Sequence, residues 1–217
     1  MEVLGLIPVL SIQLICFCLG AFAISAISPG ESLPQTSESI HSKLKAGLGA
    51  IAESKVIAQT LSINFVSSIF NAGAFMTVFP FIVRRIYDGD ALTLSLMMMV
   101  FYAGATTSSF VMMRYMPFAR PGRIFLIMQL SRMFILGVMW LQPTFWVFAL
   151  AAVAWGFNMG VTLTLARTIV QELSSEEFRG RIMSVYSLGL LGSAPIGAIV
   201  LGFIIEAFGT LNALLPA

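Results

Sequence analysis

Residues 176–209 read EEFRGRIMSVYSLGLLGSAPIGAIVLGFIIEAFG. Four charges, on Glu176, Glu177, Arg179 and Arg181, fall in the first six positions, and no charged residue follows until Glu206. A helix needs about 20 mostly apolar residues to cross a bilayer core, and this run supplies them. Within it, Ser193 with Gly197 and Ala198 with Gly202 form small-xxx-small pairs, which let a second helix approach closely. Pro195 would break a helix in water. In a packed bundle the carbonyl it frees finds other partners, so a bend is expected there. The segment thus reads as a charged hinge, a closely packed span and a carboxylate near the far surface.

The rest of the chain agrees. Of its 217 residues, 58% are hydrophobic and 10% charged, against about 25% charged in soluble domains. Mean hydropathy is +0.94. So few charges cannot cover a water-facing surface, whereas lipid solvates apolar side chains directly. The net charge of +2 is too small and too scattered for a nucleic-acid partner. Cys16 and Cys18 sit inside an apolar run as small hydrophobes, with no disulfide framework or metal spacing. His41 stands among Ser and Lys in a polar segment. No metal cluster, nucleophile motif or phosphate-cradling loop is present, the spans contain no Asp, and neither a cofactor nor an enzymatic activity is expected.

Six spans are expected, at about 3–27, 56–83, 91–113, 124–141, 144–169 and 183–208. The first lacks a basic n-region and exceeds a signal-peptide h-region, so it reads as an uncleaved span despite Ala21-Phe22-Ala23. Basic residues in short loops set the orientation. With the first residue outside, Lys43, Lys45, Lys55, Arg114, Arg120, Arg123, Arg179 and Arg181 fall inside, and only Arg84 and Arg85 fall outside. Arg132 and Arg167 remain within spans.

Residues 28–55 form the long polar segment. Pro29, Gly30 and Pro34 end the first helix. Ile40, Leu44, Leu48 and Ile51 then recur at helical spacing, as in an amphipathic helix lying along the inner interface. The division expected is a span at 1–27, an inner loop at 28–55 and a helix bundle at 56–217. No repeat of 20–50 residues marks a solenoid, but transporters repeat at the scale of whole bundles.

Polar residues within the spans are the functional candidates. Thr60, Asn64, Ser67 and Asn71 share one face of the second span, either lining a cavity or bonding to a neighbouring helix. Gln129 and Arg132 share a face of the fourth, with Arg132 near mid-helix, where insertion costs about 2.5–3.5 kcal/mol. No carboxylate lies at matching depth apart from Glu206 near the opposite surface, which leaves water, a backbone carbonyl, a substrate anion or a missing chain segment as its partner. The fifth span presents Trp155, Asn158 and Thr162 on one face, with Gly156 and Gly160 as a GxxxG packing pair. Arg167, one turn from the boundary, snorkels.

Residues 177–187, EFRGRIMSVYS, resemble the E-x-R-G-R-[VI]-M-S-x-Y-S signature between the tenth and eleventh helices of major facilitator superfamily transporters. The closest branch is the secretion-effector group that includes the enterobactin exporters, whose eleventh helix residues 189–209 also resemble. Arg120-Pro121-Gly122-Arg123 resembles the end of the superfamily's R-x-G-R loop motif. Ala119 stands where the fuller motif has Asp, and Ser175 where the branch commonly has Pro.

The resemblance implies an all-α membrane fold. The six spans are then equivalent to helices six to eleven of a twelve-helix architecture, and helix twelve is cut off after Gly209. It further implies an inner-membrane exporter of small molecules, driven by proton exchange and working by alternating access. Its partners would be the bilayer, a small-molecule substrate and an N-terminal helix bundle of the same transporter. On this reading Asn64, Asn71, Gln129, Arg132 and Asn158 line the substrate path. Arg120, Gly122, Arg123, Glu177, Arg179, Gly180 and Arg181 form a cytoplasmic gate. Gly156, Gly160, Ser193, Pro195, Gly197 and Gly202 serve packing and bending. The alternative is a truncated product or structural membrane partner without transport activity.

Overall fold

The computed structural model describes residues 6–25 and 40–216. The expected break at Pro29, Gly30 and Pro34 lies outside the described residues. Among those described, regular structure is helical throughout and no strand occurs. The chain divides into two units, residues 1–39 and 40–217. In the first, α1 (Leu6–Ser25) carries no charged residue and is apolar on every face, the pattern of a helix surrounded by lipid or apolar protein.

The second unit contains α2 (Ile40–Glu53), α3 (Lys55–Gly73), a π-helical turn (Ala74–Val78), α4 (Phe79–Arg85), α5 (Ala91–Tyr115), α6 (Pro121–Trp140), α7 (Phe145–Leu173) and α8 (Glu176–Phe208). α3, the π turn and α4 run on as one apolar stretch, Lys55–Arg85, of 31 residues. This stretch and α5–α8 are five helices long and apolar enough to cross a membrane, and α1 adds a shorter apolar one. The protein is an all-α integral membrane protein.

Local chemistry sets the boundaries. Ser54 caps α3 by accepting the Ile57 N–H at 3.4 Å, and Asp90 caps α5 by accepting the Thr93 N–H at 2.8 Å. The Thr93 hydrogen bonds hold the Asp90 carboxyl below the usual carboxylate range. The π turn comes just ahead of Pro80. A proline ring lacks an N–H and crowds the carbonyl four residues back, and one widened turn absorbs both effects.

The connection expected over 170–182 is far shorter. α7 continues to Leu173 and α8 starts at Glu176, leaving Ser174 and Ser175 between them. Ser175 has the extended backbone of an N-cap, and Glu176 and Glu177 occupy the first turn, where carboxylates complement the positive end of the helix dipole. The charged hinge is therefore itself helical. α8 also passes through Pro195 without interruption. Gly209 follows at φ 88°, a conformation that favours glycine, and leads into a 3-10 turn at Asn212–Leu214.

Two glycine seams hold the bundle. Where α5 crosses α7, a Cβ on Gly104 would run into the Val153 carbonyl, one on Gly156 into the Phe101 carbonyl, and one on Gly160 into the Ser108 hydroxyl. Where α3 crosses α8, Gly73 and Gly197 face each other: a Cβ on Gly73 would strike the Gly197 carbonyl, and one on Gly197 the Ile69 carbonyl. Lipid supplies no hydrophobic drive between helices, so backbone proximity of this kind carries much of their association. Two apolar clusters flank the seams. One gathers Phe75, Phe79, Phe101, Phe148 and Trp155; the other joins Ile51 of α2 to Ile57, Phe125, Leu165 and Ile182. Gly202, by contrast, has nothing within 4 Å of an added Cβ.

The contrast predicts opposite outcomes for one added methyl. Gly156→Ala should destabilise the protein in detergent by about 1–3 kcal/mol through overpacking, whereas Gly202→Ala should stay within about 0.5 kcal/mol of the parent. Thermal midpoints of the two variants, compared in one detergent, check this, and equal midpoints would contradict the seam.

Candidate functional site

Arg132 lies near the middle of α6 and is only 5% exposed. A guanidinium there must satisfy its N–H groups within the protein, because the apolar surroundings offer no acceptors. Three side chains do so. Arg132 Nε donates to Asn158 Oδ1 at 3.0 Å, Nη1 to Ser67 Oγ at 2.8 Å and Nη2 to Thr162 Oγ1 at 2.9 Å. α6 is thereby tied to α7 twice and to α3 once. All three acceptors are neutral. Among the described residues no carboxylate pairs with this cation, and Glu206 is exposed.

Each acceptor is itself held. Asn158 Nδ2 donates to the Met128 carbonyl at 2.6 Å and to Ser131 Oγ at 2.8 Å, so its amide oxygen faces Arg132. Thr162 Oγ1 donates back to the Asn158 carbonyl at 3.0 Å, leaving lone-pair capacity for the guanidinium. One turn further along α3, Asn71 Oδ1 accepts from Trp155 Nε1 at 2.7 Å. That bond fixes a fully buried indole between α3 and α7.

These groups border open space. A cavity of about 260 Å³ is lined by Asn64, Ser67, Asn71, Gln129, Arg132 and Thr162, with Phe75 and Tyr102 on its apolar wall. A second space of about 540 Å³ meets it at Ser67, Gln129 and Arg132. Beyond Asn64 and Leu190, a third of about 440 Å³ runs between α3 and α8 and reaches Leu48 of α2.

The five residues assigned to a path from sequence thus fall in one region. Asn64, Asn71, Gln129 and Arg132 line the 260 Å³ cavity, while Asn158 sits behind Arg132 and borders another space. Arg132 departs from expectation in its partners, which are neutral side chains rather than water, a carbonyl or an anion. Ser67 and Thr162, noted on their helix faces but not assigned to the path, complete the cluster.

The residues expected as a gate gather at one end, around the cluster that contains Met112, Phe125 and Ile182. Glu177, Arg179, Gly180, Arg120, Gly122 and Arg123 are exposed there. Arg179 Nη2 donates to the Ser174 carbonyl at 3.5 Å, and Arg181 stands 5.5 Å from the Phe178 ring centroid. A Cβ on Gly47 of α2 would lie 3.3 Å from Arg181, so the amphipathic helix packs against the start of α8. Gly122 and Gly180 have nothing within 4 Å of an added Cβ.

Loss of an acceptor should be costly. Asn158→Ala strands Arg132 Nε and is expected to destabilise the protein by about 1–3 kcal/mol. Trp155→Phe, which strands Asn71 Oδ1 and leaves space where the fully buried indole packed, should cost a comparable amount. Thermal unfolding in detergent reads both, and a neutral Asn158→Ala would contradict the network.

No curated protein and no solved structure matches the chain. The sequence profile of a transporter family described as transmembrane secretion effector does, over residues 2–217. With a helical membrane bundle built around a buried polar cluster, the chain belongs to that secretion-effector family of major facilitator transporters.

Proposed function

We propose that this protein is a secondary active exporter of small molecules in a bacterial inner membrane, coupled to proton exchange and working by alternating access. The observation that carries the reading is the cavity bordered by Arg132. A buried cation, two asparagines and a glutamine offer hydrogen-bonding groups to a bound molecule, and the apolar walls beside them suit its body. Family membership supports transport, the outward direction follows the family's secretion-effector description, and proton coupling is carried over from the resemblance to major facilitator exporters.

In this reading the cavity faces a second helix bundle of the same transporter, and substrate binds between the two. The charged start of α8 and the Arg120–Arg123 loop lie at the cytoplasmic end, as the distribution of basic loop residues suggests. Closure there brings Arg179, Arg181 and Glu177 against neighbouring helix ends, and opening tilts α8 along its Gly73–Gly197 contact. The polar cluster stays fixed while access alternates around it.

The test is efflux from cells expressing the full-length protein, scored against a panel of drugs and siderophores. At least one compound should be exported by the parent. Arg132→Ala should reduce that export about tenfold or more per molecule reaching the membrane, since removal of a charged hydrogen-bonding group commonly costs this much. Export that survives Arg132→Ala intact would take Arg132 out of the transport site.

A further inference from the structure

Arg132 donates three hydrogen bonds, all to neutral oxygens. A guanidinium carries five N–H groups, so one on each Nη is left over, and Arg132 lines both the 260 and the 540 Å³ spaces. Its positive charge meets no carboxylate among the described residues, and the side chain is only 5% exposed. Hydrogen bonds to neutral groups orient a cation without cancelling its charge. A charge held in low dielectric attracts an opposite one strongly.

A second, independent feature sits beside it. Gln129 Oε1 is buried and lacks a hydrogen-bond partner, alone among the buried side-chain nitrogens and oxygens of the described residues. Gln129 is one turn before Arg132 on the same face of α6, and the two border the same pair of spaces. An orphaned acceptor next to an unneutralised donor cation defines a ligand: an oxyanion with a hydrogen-bond donor close to it. Around them Phe70, Phe75, Met76 and Met133 supply apolar walls, which favour an organic body over a bare inorganic ion.

We propose that this site binds small organic oxyanions, with the anionic group on the Arg132 guanidinium and an adjoining hydroxyl or amine donating to Gln129 Oε1. The inference deepens the transport reading by naming the class of molecule carried, and it rests on that reading only for the word carried. Cations are excluded because Arg132 repels them. Neutral analogues bind weakly because they leave its charge unmatched.

The test uses three probes on the full-length protein in detergent, with binding measured calorimetrically. Mandelate is a hydroxy carboxylate with an apolar ring, phenylacetate lacks the hydroxyl, and mandelamide lacks the charge. Mandelate should bind best, phenylacetate more weakly and mandelamide least. Arg132→Gln should weaken mandelate binding about ten- to a hundredfold, and Gln129→Leu should bring mandelate down to phenylacetate. Should Arg132→Gln fail to fold, Ser67→Asp supplies an internal carboxylate at the 2.8 Å contact; it should keep the protein folded and abolish the preference for mandelate over mandelamide. Equal binding of mandelate and mandelamide, undiminished mandelate binding in Ser67→Asp, or no mandelate binding to the folded parent would each overturn the proposal. Export of a neutral compound that ignores Arg132 would also overturn it while leaving the transport reading intact. Mandelate binding with no export of any compound would leave the anion site standing and remove transport.

Discussion

A guanidinium cannot rest in a hydrocarbon interior unless oxygens surround it, and that requirement organises the bundle. Arg132 places α6 in register with α3 and α7 together, because its three bonds reach Ser67, Asn158 and Thr162 at once. The Asn158 amide can serve only one way round, since both its N–H groups are already given to Met128 and Ser131. The polar cluster therefore does for helix register what a hydrophobic core does for a soluble domain. It is directional, and a slip of one residue would leave a cation unpaired.

Apolar packing supplies what the cluster cannot. α5 and α8 touch Arg132 little and are held through the glycine seams against α7 and α3. There the backbones come so close that a methyl group has no room. The two kinds of contact divide the bundle. One fixes α3, α6 and α7 around a charge, and the other presses α5 and α8 on either side of them. The cavity remains where the polar triad meets the α8 seam, bordered by Ser67 and Arg132 on one side and Ser193 on the other. Packing there is sparse enough to leave space for a ligand.

Much of this was legible in the sequence. Hydropathy located the spans, five of them in helices long and apolar enough to cross a membrane and the first in a shorter apolar helix. The period of Thr60, Asn64, Ser67 and Asn71 showed a polar face on α3, and Gln129 with Arg132 showed one on α6. What sequence could not show was that these faces meet. No acid lies at the depth of Arg132, and three neutral oxygens divide the task of meeting it; pairing between helices leaves no mark within one helix. The charge-rich stretch at 176–181 resembled a loop because charges usually mark water. Its serine followed by two glutamates is nonetheless a helix start, and that signal was available. The π turn ahead of Pro80 has no such mark, because one widened turn leaves the apolar run unbroken.

The contact between α3 and α6 through Ser67 and Arg132 is the bond on which this description depends most. A double-mutant cycle of Ser67→Ala and Arg132→Gln, read as unfolding free energy in detergent micelles, measures it directly. A coupling of about 1 kcal/mol, in the upper range for interhelical hydrogen bonds in membrane proteins, is the predicted result. Strictly additive losses would mean that the guanidinium and the serine do not meet, and the cluster as described would be wrong.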